Sequence, residues 1–452
     1  MKHNTPLYSA LKKYKSKNIS SFHTPGHKCN KKFLKYNLLS YDYTELVQTD
    51  NLFDPKGSIL SAENRAAKVF KTQKTLFSSG GCSLCIQTML RLALPSGGKI
   101  ITSRFIHKSA VNAMSLLNIT PVWVMPEKGN DSTFFEAILP EKVKELLETN
   151  KDAKAVYITS PDYFGTISDV KAISRICKVY RVPLLVDNAH GAHLGLLSEN
   201  LHPLNFGADM VADSAHKTLP VLTGGAFLHI NDQKYVEKAK TAMGLFASTS
   251  PSYPIMASQD LCCNWINKYG KKAFQGLEES VTEIKNIAET QGLIVRKGNL
   301  VDPTRLSFNT SKLGISGEAL AEHFRKFKVE PEFSLGNFLV LIPTPFNTKK
   351  DFSRLKKAVL SISAIKGSSN LNDEKFDYLK NLELPQCGLS LREALLAESE
   401  TLEVKNALGR ISKSMICPCP PGIPIVLPGE VVTQGVVENL LNYGIFSLDV
   451  IK

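Results

Sequence analysis

At 452 residues the chain is too long for one ordinary hydrophobic core, so two or three structural units are expected. A hydrophobic fraction of 43% and a charged fraction of 21% describe a soluble globular protein and exclude a disordered one. The net charge of +13 arises from lysines spread along the chain, densest near the N-terminus, with no RNA-recognition signature or zinc finger beside them, so a solvated basic surface is expected and no nucleic-acid partner.

No apolar run reaches membrane-spanning length, and Met1-Lys2-His3-Asn4-Thr5-Pro6 lacks the apolar centre of a secretory signal. A cytoplasmic protein without membrane contact is the expectation. Nine scattered cysteines suit a reducing compartment better than a disulfide framework. Cys82 and Cys85 form a lone C-x-x-C, and neither Cys262-Cys263 nor Cys417-Pro418-Cys419 supplies a second pair at comparable spacing, so no metal is expected on these thiols.

Residues 1–60 predict an arm with little periodicity, holding the tight turn Phe22-His23-Thr24-Pro25-Gly26-His27-Lys28. A large domain is expected over 61–300. Its apolar segments Thr75–Phe77, Lys99–Thr102, Pro121–Val124, Ala155–Thr159 and Pro183–Val186 predict strands. Helical stretches lie between them, so the fold class is α/β, a mostly parallel sheet with helices on both faces. Ligands in such sheets bind at the carboxyl ends of strands, where Ser78 to Ser83, His107, Ser160 and Asp187 all fall. Residues 231–300 read as mainly helical, interrupted by Ser248-Thr249-Ser250-Pro251. A smaller α/β domain is expected over 301–365, then a polar linker over 366–381 and a C-terminal domain over 382–452.

Four features at that edge carry chemistry. The turn Ser79-Gly80-Gly81-Cys82-Ser83 opens a helix and offers free N–H groups and a positive dipole end, a seat for phosphate. Asp187 closes an apolar strand and could hold a heterocyclic N–H⁺. At ~4 Å and an effective dielectric near 20 that pair is worth about 4 kcal/mol, or roughly three pKa units. His107, at the start of its helix, could stack on a planar ring or move a proton. Lys217 lies between apolar runs, after Ser214-Ala215-His216 and before Gly224-Gly225, where lost solvation would lower its pKa and free its amine to condense with an aldehyde. Singly each has a structural explanation. Jointly they are the parts of a pyridoxal-phosphate site.

The chain resembles the ornithine/lysine/arginine decarboxylase family of fold-type-I pyridoxal-phosphate enzymes over nearly its whole length. The residues carrying the likeness are Phe22 to Lys28, His107-Lys108-Ser109, Asp187-Asn188-Ala189-His190-Gly191, Ser214-Ala215-His216-Lys217, and Pro420-Pro421-Gly422-Ile423-Pro424 through Pro428-Gly429-Glu430. The resemblance implies an aspartate-aminotransferase-like three-layer large domain with a smaller α/β domain and a C-terminal unit. It implies Lys217 as the lysine that bonds the cofactor, Asp187 beside the ring nitrogen, His107 stacked on the ring and Ala189 beneath it. Ser214 and His216 would lie near the phosphate with the turn from Ser79 to Ser83. Ser248 and Thr249 would reach the phosphate of a neighbouring subunit in a homodimer or larger assembly with shared sites. Glu430 would receive the basic side chain of the substrate. The implied reaction is loss of CO₂ from arginine, lysine or ornithine, with Lys217 or His216 returning a proton to Cα.

The chain departs from the family at three points. The phosphate turn has Gly81-Cys82-Ser83 where Gly-Thr-Ser/Thr is usual, Asn188 replaces an acidic residue, and Cys419 replaces an aromatic. It also lacks the N-terminal response-regulator-like domain of the large members, and so resembles the shorter branch. A homologue that binds the cofactor with aminotransferase activity, or without decarboxylation, is the alternative. A more distant one is a metal hydrolase using His23, His27, His107, Asp187, His190, His193 and His216.

Overall fold

Seven strands gather the middle of the chain into one sheet: β1 (Lys74–Ser78), β2 (Gly98–Ser103), β3 (Ile119–Val124), β4 (Ala153–Thr159), β5 (Leu184–Asp187), β6 (Met210–Asp213) and β7 (Ala226–Ile230). The structure is a computed structural model and describes residues 6–30, 38–126, 134, 136–365, 384–418 and 422–452. The strand order is β1-β7-β6-β5-β4-β2-β3. Neighbours from β6 to β3 run parallel, and β7 alone is antiparallel to both its neighbours.

Period-two alternation explains why these strands are apolar on both faces. Ile100, Tyr157, Leu185 and Met210 pack toward helices α1 (Gly81–Ala93) and α2 (Lys108–Leu117). Their chain neighbours Ile101, Val156, Ile158, Val186 and Val211 pack toward α3 (Pro140–Thr149) and α4 (Val170–Tyr180). This is the expected three-layer α/β/α arrangement. The parallel strands therefore end together at one edge, and β5 and β6 deliver Asp187 and the segment leading to Lys217 to it.

A second, antiparallel sheet has the order Phe333–Leu335, Phe338–Leu341, Leu306–Asn309, Ile294–Val295. Val295 pairs with Phe308, so that last strand, although it precedes residue 300, is part of this sheet. Two residues are too few to show a strand period. The N-terminal arm is more ordered than its sequence suggests: Pro6–Ser16 is helical, and Ser20–Phe22 runs parallel to Val329–Pro331. Phe22 is fully buried there.

In the C-terminal unit Ser399–Glu403 pairs with Ser447–Ile451 over a core of Val404, Ile425, Val432, Leu440 and Val450. Its helix Leu391–Leu396 rests on α2, and Arg392 donates to the Leu116 carbonyl at 2.8 Å. The expected linker 366–381 lies outside the described residues, as do Cys419 and Pro420-Pro421. No helix among the described residues is long and apolar enough to cross a membrane.

Candidate active site

Lys217 sits on a single helical turn, α5 (Ala215–Thr218), directly after β6. Backbone contacts from two directions hold this turn. His216 N–H donates to the Gly225 carbonyl at 3.1 Å, and Gly26 N–H donates to the His216 carbonyl at 2.7 Å. A Cβ on Gly26 would lie 2.6 Å from the Leu219 carbonyl oxygen and 2.7 Å from the Thr218 carbonyl carbon. Only glycine lets the N-terminal arm approach the lysine turn so closely. Gly26→Ala is therefore expected to push the two segments apart, costing about 1–3 kcal/mol in denaturant unfolding and lowering turnover, because the lysine loses its support.

The Lys217 amine is 2.8 Å from Nε2 of His190. Burial lowers the lysine's pKa, against the opposing pull of Asp187. Burial, with Lys217 and Arg305 nearby, holds His190 well below its ordinary value and hence neutral. Tyr163 meets the His190 ring edge-on at 5.0 Å, and its hydroxyl donates to Glu332 at 3.1 Å. The lysine thus faces a neutral partner, and the amine is poised to react rather than locked in an ion pair.

Asp187 is 1% exposed. It accepts from the Tyr157 hydroxyl and the Ala189 N–H, both at 3.1 Å, and the Cys82 thiol lies 3.9 Å away. Burial raises its pKa, which His107 and Lys217 only partly offset. No ion-pair partner reaches it among the described residues, so a buried carboxylate is left to be satisfied by a cation arriving in the cleft. His107 caps α2, its Nδ1 accepting from Ser109 N–H at 3.2 Å, which fixes the ring's direction.

These groups line one cleft of about 540 Å³. Of the residues expected at the site, Gly81, Cys82, Ser83, His107, Asp187, Ala189, Ser214, His216 and Lys217 all face it. Gly81 has φ +71°, and a Cβ there would meet nothing within 4 Å, while no side chain caps α1. The Gly81 N–H donates to the Gly224 carbonyl at 2.7 Å, and no side chain caps the N–H groups that follow it, as an anion seat requires. Ser79 and Gly80 belong to the same turn but do not line the cleft, and Cys82 sits against Asp187. The donor set fits pyridoxal phosphate: an uncapped helix end, a buried unpaired carboxylate and a desolvated lysine share one cavity.

Two expectations fall elsewhere within one chain. Ser248 and Thr249 are exposed and do not line the cleft. Glu430 is 1% exposed, and both its oxygens are engaged: Arg104 binds them at 2.6 and 2.9 Å, and Leu427 N–H donates at 2.8 Å. It lines a separate cavity of about 230 Å³ with Trp123 and Cys387. Within one chain, then, Glu430 does not line the cleft expected to take the substrate, and its carboxylate is bound by Arg104.

Of the residues of the metal-hydrolase alternative, His107, Asp187, His190 and His216 line the cleft but do not form a group at ligand spacing among the described residues. His190 faces Lys217, whereas His193 faces Thr304 at 2.9 Å and Asp302 at 3.3 Å. The His/Asp cluster with ligand-like spacing among the described residues is a different one, His202, Asp213 and His229. There both imidazoles hydrogen-bond Asp213 Oδ2, at 3.0 and 3.1 Å, and Asn188 donates to Oδ1 at 2.6 Å. This buried hub anchors the end of β6 behind Lys217. Sequence reading did not find Tyr157, Asp162, Tyr163 or Glu332 at the site. Only Asp162 and Tyr163 offered a signal, being just past a strand end at the functional edge.

The profile of "Orn/Lys/Arg decarboxylase, major domain" matches residues 5–304, and that of the family's C-terminal domain matches residues 375–445. The chain belongs to the Orn/Lys/Arg decarboxylase family. Membership places it among the amino-acid decarboxylases. An arginine decarboxylase of Bacillus subtilis (strain 168) is 30% identical, over 99% of this chain and 94% of that protein. A lysine decarboxylase of Hafnia alvei is 23% identical, over 95% of this chain and 73% of its own length. Among solved structures, the constitutive lysine decarboxylase of E. coli superposes with a TM-score of 0.77 at 19% identity, covering 99% of this chain and 82% of that one. A NifS-like protein gives 0.54 at 16% identity over 68% of the chain, and the shared part is the fold.

Proposed function

We propose that this chain removes CO₂ from a basic amino acid, using pyridoxal phosphate held in the cleft, and releases the corresponding amine. The observation that carries this reading is the desolvated Lys217 amine beside neutral His190, in one cavity with the unpaired carboxylate of Asp187. Asp187 would face the ring nitrogen, His107 and Ala189 the two ring faces, and the open end of α1 with Ser214 and His216 the phosphate. Pyridoxal phosphate, when bound, supplies an electron-withdrawing ring that takes up the electron pair left when CO₂ departs.

The remaining work belongs to the chain's own side chains. Asp187 keeps its neighbour cationic, which an amide could not do. Burial lowers the Lys217 pKa, so its free amine forms more readily and its ammonium gives up a proton more readily, beside His190 at 2.8 Å. Exposed Ser248 and Thr249 suit a homodimer in which each chain completes the other's phosphate site.

The test is product analysis after incubating the protein and cofactor with arginine, lysine and ornithine. CO₂ with agmatine or a diamine is the expected outcome. A keto acid would mark an aminotransferase, and no product from any of the three would reject catalysis on basic amino acids.

A further inference from the structure

With Glu430 committed to Arg104, the cleft needs another means of choosing a cationic substrate. Asp187 and Asp162 are the two carboxylates lining it, and Asp187 is taken up by the ring-nitrogen role. Asp162 follows β4 by three residues and is 5% exposed. Its Oδ1 accepts from Thr166 N–H at 2.7 Å, and its own N–H donates to the Thr166 carbonyl at 2.9 Å, closing a tight turn over 162–166. Its Oδ2 is buried and has no hydrogen-bond partner. The carboxylate is thus clamped by one oxygen, while the other is buried without a partner in a residue that lines the cleft.

We propose that Asp162 is the specificity residue that receives the distal ammonium or guanidinium of the substrate. This rests on the decarboxylase reading and names what that reading leaves open. The wall beside Asp162 suits the rest of such a side chain: Phe105, Ile106 and Met415 are apolar and line the same cleft, fit to cover a methylene stem. The nearby cation, Arg296, is bound by Glu136 through both carboxylate oxygens at 2.8 and 2.6 Å, and so does not replace a ligand at Oδ2. Burial pushes the Asp162 pKa up to about 6, against the lowering pull of its hydrogen bonds from Thr166 and Phe164 and of Arg296; a cation at the carboxylate would favour its ionised form. A substrate without the distal charge would leave it buried and unpaired, which is how such sites reject neutral analogues.

Asp162→Asn keeps the acceptor for Thr166 N–H and the side-chain volume but removes the charge. In the holoprotein, calorimetric titration should show wild type preferring cadaverine to pentylamine, which differ by one terminal ammonium. In the variant that preference should largely vanish, and KM for the best basic amino acid should rise roughly 10- to 100-fold with a smaller change in kcat. Asp162→Ser, whose hydroxyl can also close the turn, repeats the test should the asparagine variant fold poorly. An unchanged cadaverine preference and KM in either folded variant would discard Asp162, leaving the decarboxylase reading standing. Wild-type protein that turns over none of the three basic amino acids would instead remove the reading on which the assignment rests.

Discussion

Replacing Lys217 by alanine is expected to abolish turnover, by on the order of 10⁴-fold or more, the scale set by removal of a covalent nucleophile. The protein should remain folded. Among the described residues Lys217 makes no ion pair, its polar partner is His190, and the turn bearing it is held by backbone bonds with Gly26 and Gly225 that the substitution leaves alone. Removing a desolvated amine should even stabilise the apoprotein slightly. The sign follows from the lowered pKa: the folded state binds the lysine proton less well than the unfolded chain does, so the penalty is fully present below the folded pKa. It fades as pH rises toward the ordinary value of 10.5. The gain over wild type should therefore be largest near neutral pH and shrink in alkali, as urea midpoints at several pH values would report. The same variant should lose the visible absorbance of lysine-bound cofactor and its fixation by borohydride. Retained absorbance, or turnover within tenfold of wild type, would assign the chemistry to another amine.

Much of this was legible in the chain because one physical pattern is written twice. Buried parallel strands need apolar residues on both faces, and their carboxyl ends need residues that do not continue the strand. Runs such as Ala155–Thr159 and Pro183–Val186 therefore announced both the sheet and the edge where Asp187 and Lys217 lie. What stayed hidden depends on contacts between distant segments. Gly26 looked like part of a turn, yet the constraint on it is the carbonyl of Leu219, nearly two hundred residues away. Tyr157 read as one apolar strand residue among several, and only its register beside β5 aims its hydroxyl at Asp187. Motif likeness marks Glu430 as important without saying what it binds within the chain; its partner, Arg104, stands more than three hundred residues earlier.

That partnership carries the largest stability effect expected in the molecule. Arg104 is fully buried, Glu430 is 1% exposed, and the guanidinium also lies 5.1 Å over the Trp123 ring. Removing one member leaves the other as an uncompensated buried charge. Arg104→Met should cost about 3–5 kcal/mol in urea unfolding, and Glu430→Gln a comparable amount. The double variant Arg104→Met/Glu430→Leu should lose much less than the sum, since an apolar pair of similar volume carries no desolvation penalty. The effect should reach the cleft as well. The pair ties the segment from Leu427 to Glu430 to the end of β2, immediately before Phe105, Ile106 and His107 on the cleft wall. Loosening it should lower kcat through misplacement of His107, with KM for basic amino acids changing less. If Glu430 instead receives the substrate's cation, Glu430→Gln would unfold at the wild-type urea concentration and raise KM selectively, and Arg104→Met would leave the carboxylate free to bind substrate more tightly.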